Sequence, residues 1–272
     1  MPESLPEHRV KARNTSGTGE NKIHDDAVAR RYGFRGGLVP GVTLYAYLTQ
    51  PLVATLGAPW LARGTASVRF VQPVLDGEEV TVTGAITARD PSGVTASLAA
   101  ATAASDECAV ATAMLPARLP TPVNIALYGA APLPAERPPV SRALLERPGL
   151  LGTPEALYDE ERAATFLDGA ADPLRLYRGP EGWAHPAFFL DQANRALDRN
   201  VRLGLWIHVS SRIRHLGGAR VGERLETRGR VRSLYEKKGR EYVELDLLIV
   251  AGPAARPVAH VLHTAIYRLP PP

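Results

Sequence analysis

NKIHDDAVARRYGFRGGLVPGVTLYAYL, residues 21–48, decides how the rest of the chain is read. A polar loop containing Asn21, Ile23, His24 and Asp26 leads to a glycine-rich turn at Gly33, Gly36 and Gly37, and then to an apolar segment opened by Pro40 and Gly41. Val42 to Leu48 predicts a helix lying across a sheet, because the chain beyond it is rich in alternating strand patterns. Proline suits the first turn of a helix but not its interior, and a glycine beside it has no Cβ to hold a ligand away from the backbone. The unpaired N–H groups of such an end favour negative charge developing on an approaching oxygen. His24 lies 17 residues before Gly41 (41 − 24 = 17), which lets the loop fold over the same helix end. Histidine titrates near neutrality and so suits proton transfer there.

Outward from this stretch the pattern is that of half-buried strands. A first strand is expected around Arg9 to Arg13, followed by a small-residue turn at 15–19 that presents His24. Ala66 to Phe70 and Val80 to Thr87 alternate apolar and polar side chains, and Val94 to Ala103 and Cys108 to Leu115 complete an antiparallel sheet around the helix. Eight prolines between Pro116 and Pro148 disfavour helix and sheet interior alike, so this region reads as a connection. Beyond it the first half recurs. The apolar segment Ala187 to Leu197 follows His185 and Pro186 as Val42 to Leu48 follows Pro40 and Gly41, displaced by 145 residues (186 − 41 = 145). Gly222-Glu223-Arg224-Leu225 matches Gly77-Glu78-Glu79-Val80 at the same displacement, and two segments agreeing on one offset argue for duplication. Strands are then expected at Leu225 to Val231, Tyr242 to Val250 and Val258 to Arg268. The histidine loop has no second copy, since the matching position is Gly169.

At Asn21, Ile23, His24, Asp26 and Gly41 the chain resembles the MaoC-like, R-specific enoyl-CoA hydratase branch of the hotdog-fold superfamily. That family's loop reads Asp-x-Asn-x-(Leu/Ile)-His, often with another Asp two residues on, ahead of a helix whose opening Gly precedes an apolar run. Two positions depart from it. Gly19 stands where the family has its catalytic Asp, with Glu20 next door, and Pro40 stands where a second His is common. The resemblance implies an α+β double hotdog, two antiparallel sheets each wrapping a central helix. Its parts would be an N-terminal unit with the histidine loop (1–117), a proline-rich connection (118–152) and a degenerate C-terminal repeat (153–272).

The chemistry the resemblance implies is reversible interconversion of 3-hydroxyacyl and trans-2-enoyl thioesters of coenzyme A or acyl carrier protein, with no metal or redox cofactor. His24 would be the principal acid/base, Glu20 its partner in place of the absent Asp, and Asn21 the organiser of the loop. Gly41, flanked by Pro40 and Val42, would hold the thioester oxygen. Asp25 and Asp26 read as helix-capping residues. Two other readings stand beside this one. A hotdog thioesterase would use Asp191 on the second apolar segment to direct water at the thioester carbon, with His185, Gln192 and Asn194 as neighbours. A non-catalytic acyl-thioester binder or subunit is favoured by Gly19.

Composition bounds these readings. A chain of 272 residues with 45% hydrophobic content buries a substantial core. Charges are mixed, the formal excess is only +4, and the pI near 9.3 reflects scattered arginines rather than a nucleic-acid-binding block, although a basic rim suits an anionic ligand. The single cysteine, Cys108, excludes an internal disulfide and reads as a buried thiol in a strand. His260 and His263 are expected on opposite faces of one strand and make a poor metal pair. No basic region followed by an apolar core opens the sequence, and no run of about 18 apolar residues occurs. The expectation is therefore a cytoplasmic protein free of membrane, either alone or as a homodimer of double hotdogs.

Overall fold

A computed structural model of the chain describes residues 3–17 and 19–270. Thr18, part of the turn expected at 15–19, lies outside the described residues. The first half contains β1 (Glu3–Ser4), β2 (His8–Lys11), α1 (Asp26–Arg31), α2 (Gly41–Arg63), β3 (Thr65–Phe70), β4 (Glu79–Asp90), β5 (Gly93–Thr102) and β6 (Ser105–Pro116). After a connection carrying the short α3 (Arg142–Leu145), the second half contains β7 (Glu155–Tyr158), α4 (Glu160–Ala170), α5 (Pro186–Asp198), β8 (Ile207–His215), β9 (Glu223–Lys237), β10 (Arg240–Ala251) and β11 (Arg256–Arg268).

The strands form one sheet of eleven among the described residues, ordered β1-β4-β5-β6-β3-β8-β11-β10-β9-β7, with β2 also on β4. The two sheets expected from the sequence are thus joined edge to edge through antiparallel β3 and β8. This is the double-hotdog arrangement. At the seam Ser67 pairs with Arg212, its own counterpart 145 residues on (212 − 67 = 145), so an approximate two-fold axis passes through that pair. The same displacement relates finer details. Val39 N–H donates to Val74 and Ala184 N–H to Ala219, both at 2.8 Å, and the Glu78 and Glu223 carboxylates accept from Leu75 N–H and Arg220 N–H at 2.9 and 2.7 Å.

Central helices α2 and α5 pack on each other and against the sheet. Val42 to Thr49 are buried without a break, as in a helix surrounded by core. The helix expected to end at Leu48 runs on to Arg63, through Pro51 and a break at Gly57 (φ 62°). A proline inside a helix lacks an N–H and clashes through its ring, at a cost of about 3 kcal/mol. Burial of Pro51, Leu52, Val53, Trp60 and Leu61 outweighs that cost. The proline-rich connection is held against the second half: Leu151 N–H donates to Gly229 (2.8 Å), Val140 N–H to Arg202 (3.1 Å), and the Tyr128 hydroxyl to Asp246 (2.8 Å).

Strands β9, β10 and β11 fall where the alternation places them, each extended by a few residues, and Cys108 is buried in β6. β7 and α4 were not anticipated. β7 lies on β9 as β2 lies on β4, so it completes the repeat, while α4 occupies the place that the histidine loop takes in the first half. Among the described residues no helix is long and apolar enough to cross a membrane.

His215, on β8, is fully buried with its ring edge-on to Trp60 (centroids 4.9 Å apart), and neither ring nitrogen has a hydrogen-bond partner among the described residues. Burial pushes its pKa from the model-compound value of 6.5 down to about 3. The unfolded chain therefore binds an extra proton between these values. The stability from neutral His215 is fully present above 6.5 and is lost progressively as pH falls towards 3. His215→Leu should leave thermal stability near neutral pH equal or higher and make the acid-side decline in Tm shallower, as measured by unfolding scans across that window.

Candidate active site

The histidine loop is built by short-range hydrogen bonds that the sequence supplies. Asn21 Oδ1 accepts from Ile23 N–H (3.3 Å) and caps a single helical turn at 22–24. Asp25 caps α1 by accepting from Val28 N–H (2.9 Å), and Asp26 Oδ1 accepts from Gly37 N–H (2.8 Å). Asp25 is thus the helix cap expected from the sequence, whereas Asp26 lies inside α1 and serves the glycine turn instead. Gly37 lies so close to the loop that a Cβ there would sit 2.2 Å from the His24 carbonyl oxygen. Asn14 Nδ2 donates to that same oxygen at 2.7 Å.

These contacts fix His24 beside the start of α2. Its Nδ1–H donates to the Leu38 carbonyl (2.6 Å), two residues before Pro40, and because a carbonyl only accepts, the proton sits on Nδ1 and the lone pair on Nε2. Among the described residues Asn21 Nδ2 reaches Nε2 at 3.4 Å, a long contact made by one N–H of the amide while the other donates to the Trp206 carbonyl at 2.9 Å. Burial lowers the His24 pKa, opposed by the Leu38 hydrogen bond. The ring is a neutral base at physiological pH. Asn21 thereby does two things, organising the loop and tying it to Trp206 of the second half, whose N–H it also accepts (3.4 Å).

Pro40 is the N-cap of α2 and offers no side-chain cap, while its carbonyl accepts from Thr43 and Leu44 N–H (2.9 and 3.2 Å). The N–H groups of Gly41 and Val42 are left without an intrahelical acceptor, as at any helix start. The sequence reading reserved the space at Gly41 for a ligand. The structure gives it to Phe70, whose ring would lie 2.9 Å from a Cβ there. At the corresponding start of α5 the arrangement is closed. His185, fully buried, accepts from Ala187 N–H on Nδ1 (3.2 Å) and donates from Nε2 to Asp172 (3.2 Å), itself 2% exposed.

Two cavities meet at His24. A polar one of about 750 Å³ lies between the histidine loop and the second half, and includes Glu20, Val42, Arg162, Phe166, Asp191 and Asp198 in its wall. A more apolar one of about 310 Å³ runs past Gly41, Leu44, Phe70, Ile207 and Ile266. Asn21, His24, Pro40, Asn194 and Trp206 line both. Of the residues singled out from sequence, His24, Asn21, Pro40, Gly41 and Val42 are brought together at this junction. Glu20 shares the polar cavity but is 72% exposed and is held by a fork from Arg137 (2.9 and 3.0 Å), which also reaches Asp198 (3.2 Å). Asp191 faces the same cavity, paired with Arg195 (2.8 Å). His208, Ser211 and His263 form a buried hydrogen-bonded row at the seam (2.8 and 3.0 Å), with His260 on the other face of β11 bonded to Asp246 (2.8 Å).

Sequence reasoning missed the α4 wall. Its signal was present: Asp159 caps the helix by accepting from Arg162 N–H (2.9 Å), Glu160 and Glu161 fill the first turn, and Ala163, Leu167 and Ala170 recur at helical spacing on the buried side. Trp206 carries no such signal, because it contributes through its backbone.

No family model and no curated protein matches the sequence. Solved structures do match in shape. A MaoC-like dehydratase superposes with a TM-score of 0.62 at 11% identity, covering 96% of this chain and 98% of that one. Rv0216 of Mycobacterium tuberculosis, described as a double hotdog, gives 0.60 at 16% identity over 96% of each chain. A protein assigned as an oleoyl thioesterase from Lactobacillus plantarum gives 0.56 at 12% identity, covering 99% and 97%. At these identities the likeness establishes the double-hotdog fold, which hosts both dehydratases and thioesterases.

Two outcomes test this geometry. Gly37→Ala pushes a methyl into the His24 carbonyl, which should cost upwards of about 1–3 kcal/mol in urea unfolding and displace the ring from its station. Arg137→Ala removes contacts to exposed Glu20 and part-buried Asp198 and should change stability by no more than about 1 kcal/mol in the same measurement.

Proposed function

We propose that the chain is an acyl-thioester hydratase/dehydratase of the MaoC-like type, interconverting trans-2-enoyl and 3-hydroxyacyl thioesters. The observation that carries this reading is a neutral His24, its Nε2 lone pair met by no more than the long Asn21 contact, at the meeting point of a polar and an apolar cavity beside the uncapped start of α2. An acyl thioester has the matching form: an apolar tail, a reactive carbonyl and a large polar carrier. The tail fits the 310 Å³ cavity and the carrier the larger one, where Arg162, which makes no ion pair among the described residues, suits a phosphate.

Gly19 brings no carboxylate, and Glu20 is turned to Arg137. His24 therefore carries both proton transfers. In hydration its Nε2 takes a proton from water as the new C3–O bond forms, and the C2=C3 electron pair moves onto the thioester oxygen. The N–H groups at the start of α2 stabilise that charge. The imidazolium then returns the proton to C2, which completes addition of water with no other reactant consumed. One base on one face makes the addition syn. The reverse sequence is dehydration, and neither direction calls for a metal or redox group.

A thioesterase is the second reading, supported by Asp191 in the wall of the polar cavity and by thioesterases sharing the fold. Crotonyl-CoA separates the two: hydration removes the enoyl-thioester absorbance and leaves the thioester intact, whereas hydrolysis releases free thiol. The wild type should hydrate, His24→Ala should lose about 10²–10⁴-fold in kcat, and Glu20→Gln should stay within about threefold. The kcat/KM profile of the wild type should hold its plateau to a lower pH than an exposed histidine allows, because burial lowers the His24 pKa and the ring stays unprotonated further into acid. Thiol release abolished by Asp191→Asn would establish the second reading, and binding of enoyl-CoA without turnover would make the protein a carrier or partner subunit.

A further inference from the structure

Helix α5 presents a polar stripe to the larger cavity: Asp191, Asn194, Arg195 and Asp198, at the i, i+3, i+4 and i+7 spacing of one helix face. Its charged members are partnered. Asp191 pairs with Arg195 at 2.8 Å and Asp198 with Arg137 at 3.2 Å. Asn194 is the exception, since its side-chain oxygen Oδ1 is buried with no hydrogen-bond partner among the described residues. A buried amide oxygen without a donor is unfavourable in a folded protein and needs a reason. The equivalent position in the first half, 145 residues earlier, is Thr49, whose hydroxyl donates to the Ala46 carbonyl of its own helix at 3.0 Å. Nothing in the architecture of the repeat therefore demands an unsatisfied group here.

Its location supplies the reason. Asn194 belongs to the small set of residues that line both cavities, together with His24, Asn21, Pro40 and Trp206. We propose that Asn194, contributed by the half without the histidine loop, holds the attacking water against His24. A water molecule donates two hydrogen bonds. One runs to His24 Nε2, which takes that proton, and the other to Asn194 Oδ1, which only accepts. With both hydrogens engaged, the oxygen lone pair points at C3. The second half thereby supplies the water-orienting acceptor for a site in which Gly19 provides no carboxylate. Asn194 transfers no proton: it fixes the direction of attack, and the balance of the reaction is unchanged. This inference rests on the hydratase reading.

Three proteins test it: the wild type, Asn194→Leu and Asn194→Asp, each assayed for crotonyl-CoA hydration and for thermal unfolding. Leucine matches the size of asparagine but cannot accept a hydrogen bond. It should lower kcat about 10- to 100-fold, leave KM within about threefold, and keep Tm equal or higher, because an unsatisfied buried oxygen has been removed. Aspartate keeps an acceptor oxygen at the same reach and should retain kcat within about fivefold. Loss of kcat in both variants accompanied by a fall in Tm would mean that Asn194 merely supports the helix and would overturn the proposal. So would an Asn194→Leu variant as fast as the wild type, while a large loss in His24→Ala alone would leave the hydratase reading standing. A wild type that hydrates no enoyl thioester, short or long, would overturn that reading and this inference together.

Discussion

Antiparallel pairing of β3 with β8 is the constraint on which the rest depends. Each half alone would end in a strand with unsatisfied backbone N–H and C=O groups along one edge. Placed edge to edge, Thr65 to Arg69 and Ser210 to Arg214 satisfy each other, and the two central helices close over a common interior. The pairing also sets what faces what. Trp206 immediately precedes β8, so the register that matches Ser67 with Arg212 brings the Trp206 backbone to Asn21 and the α5 face to His24. A slip of the seam by one residue would turn every side chain on β8 to the opposite face. Site geometry and sheet register are consequently one property.

Duplication produced two helix starts, and their chemistry has diverged. Pro40 leaves the first turn of α2 open, with its positive end towards the cavities. His185 closes the first turn of α5 with its own ring and is anchored in turn by Asp172, both out of solvent. A buried pair of this kind is tolerated because each polar atom has a partner, and its removal from one side would strand the other. The start of α5 is sealed where that of α2 is open, and α4 fills the place that the histidine loop takes in the first half. What the second half gives the first is a wall: Phe166, Arg162 and the polar face of α5.

The unsatisfied polar atoms separate into two kinds. His215 has two unpartnered ring nitrogens packed against Trp60, far from either cavity, and behaves as a flat aromatic filler. Asn194, whose Oδ1 is buried without a partner among the described residues, belongs to a residue set lining both cavities. The same deficit thus has opposite meanings: in the core it is a cost of packing, and at a cavity it is an unfilled bonding capacity that a reactant can use. His24 combines both aspects, since the burial that lowers its pKa also keeps it in the form that accepts a proton.

Much of this was legible in the chain itself. Alternation placed β3 to β6 and β9 to β11, the 145-residue offset gave the repeat that the seam and the paired carboxylate contacts reproduce, and the turns at Asn21 and Asp25 follow from capping chemistry within a few residues. Local hydrogen bonding and hydrophobic period depend on nearest neighbours, so they are written in order along the sequence. Three matters were settled by the tertiary structure alone. Helix α2 continues through Pro51 because non-local burial outweighs a local penalty. Glu20 turns to Arg137, 117 residues away, because side-chain direction in a loop is fixed by the partner that folding delivers. Asn194, one of five polar residues on its helix, gains its significance only when the seam sets α5 across from the histidine loop, since proximity between two halves is a product of sheet register and not of either half's sequence.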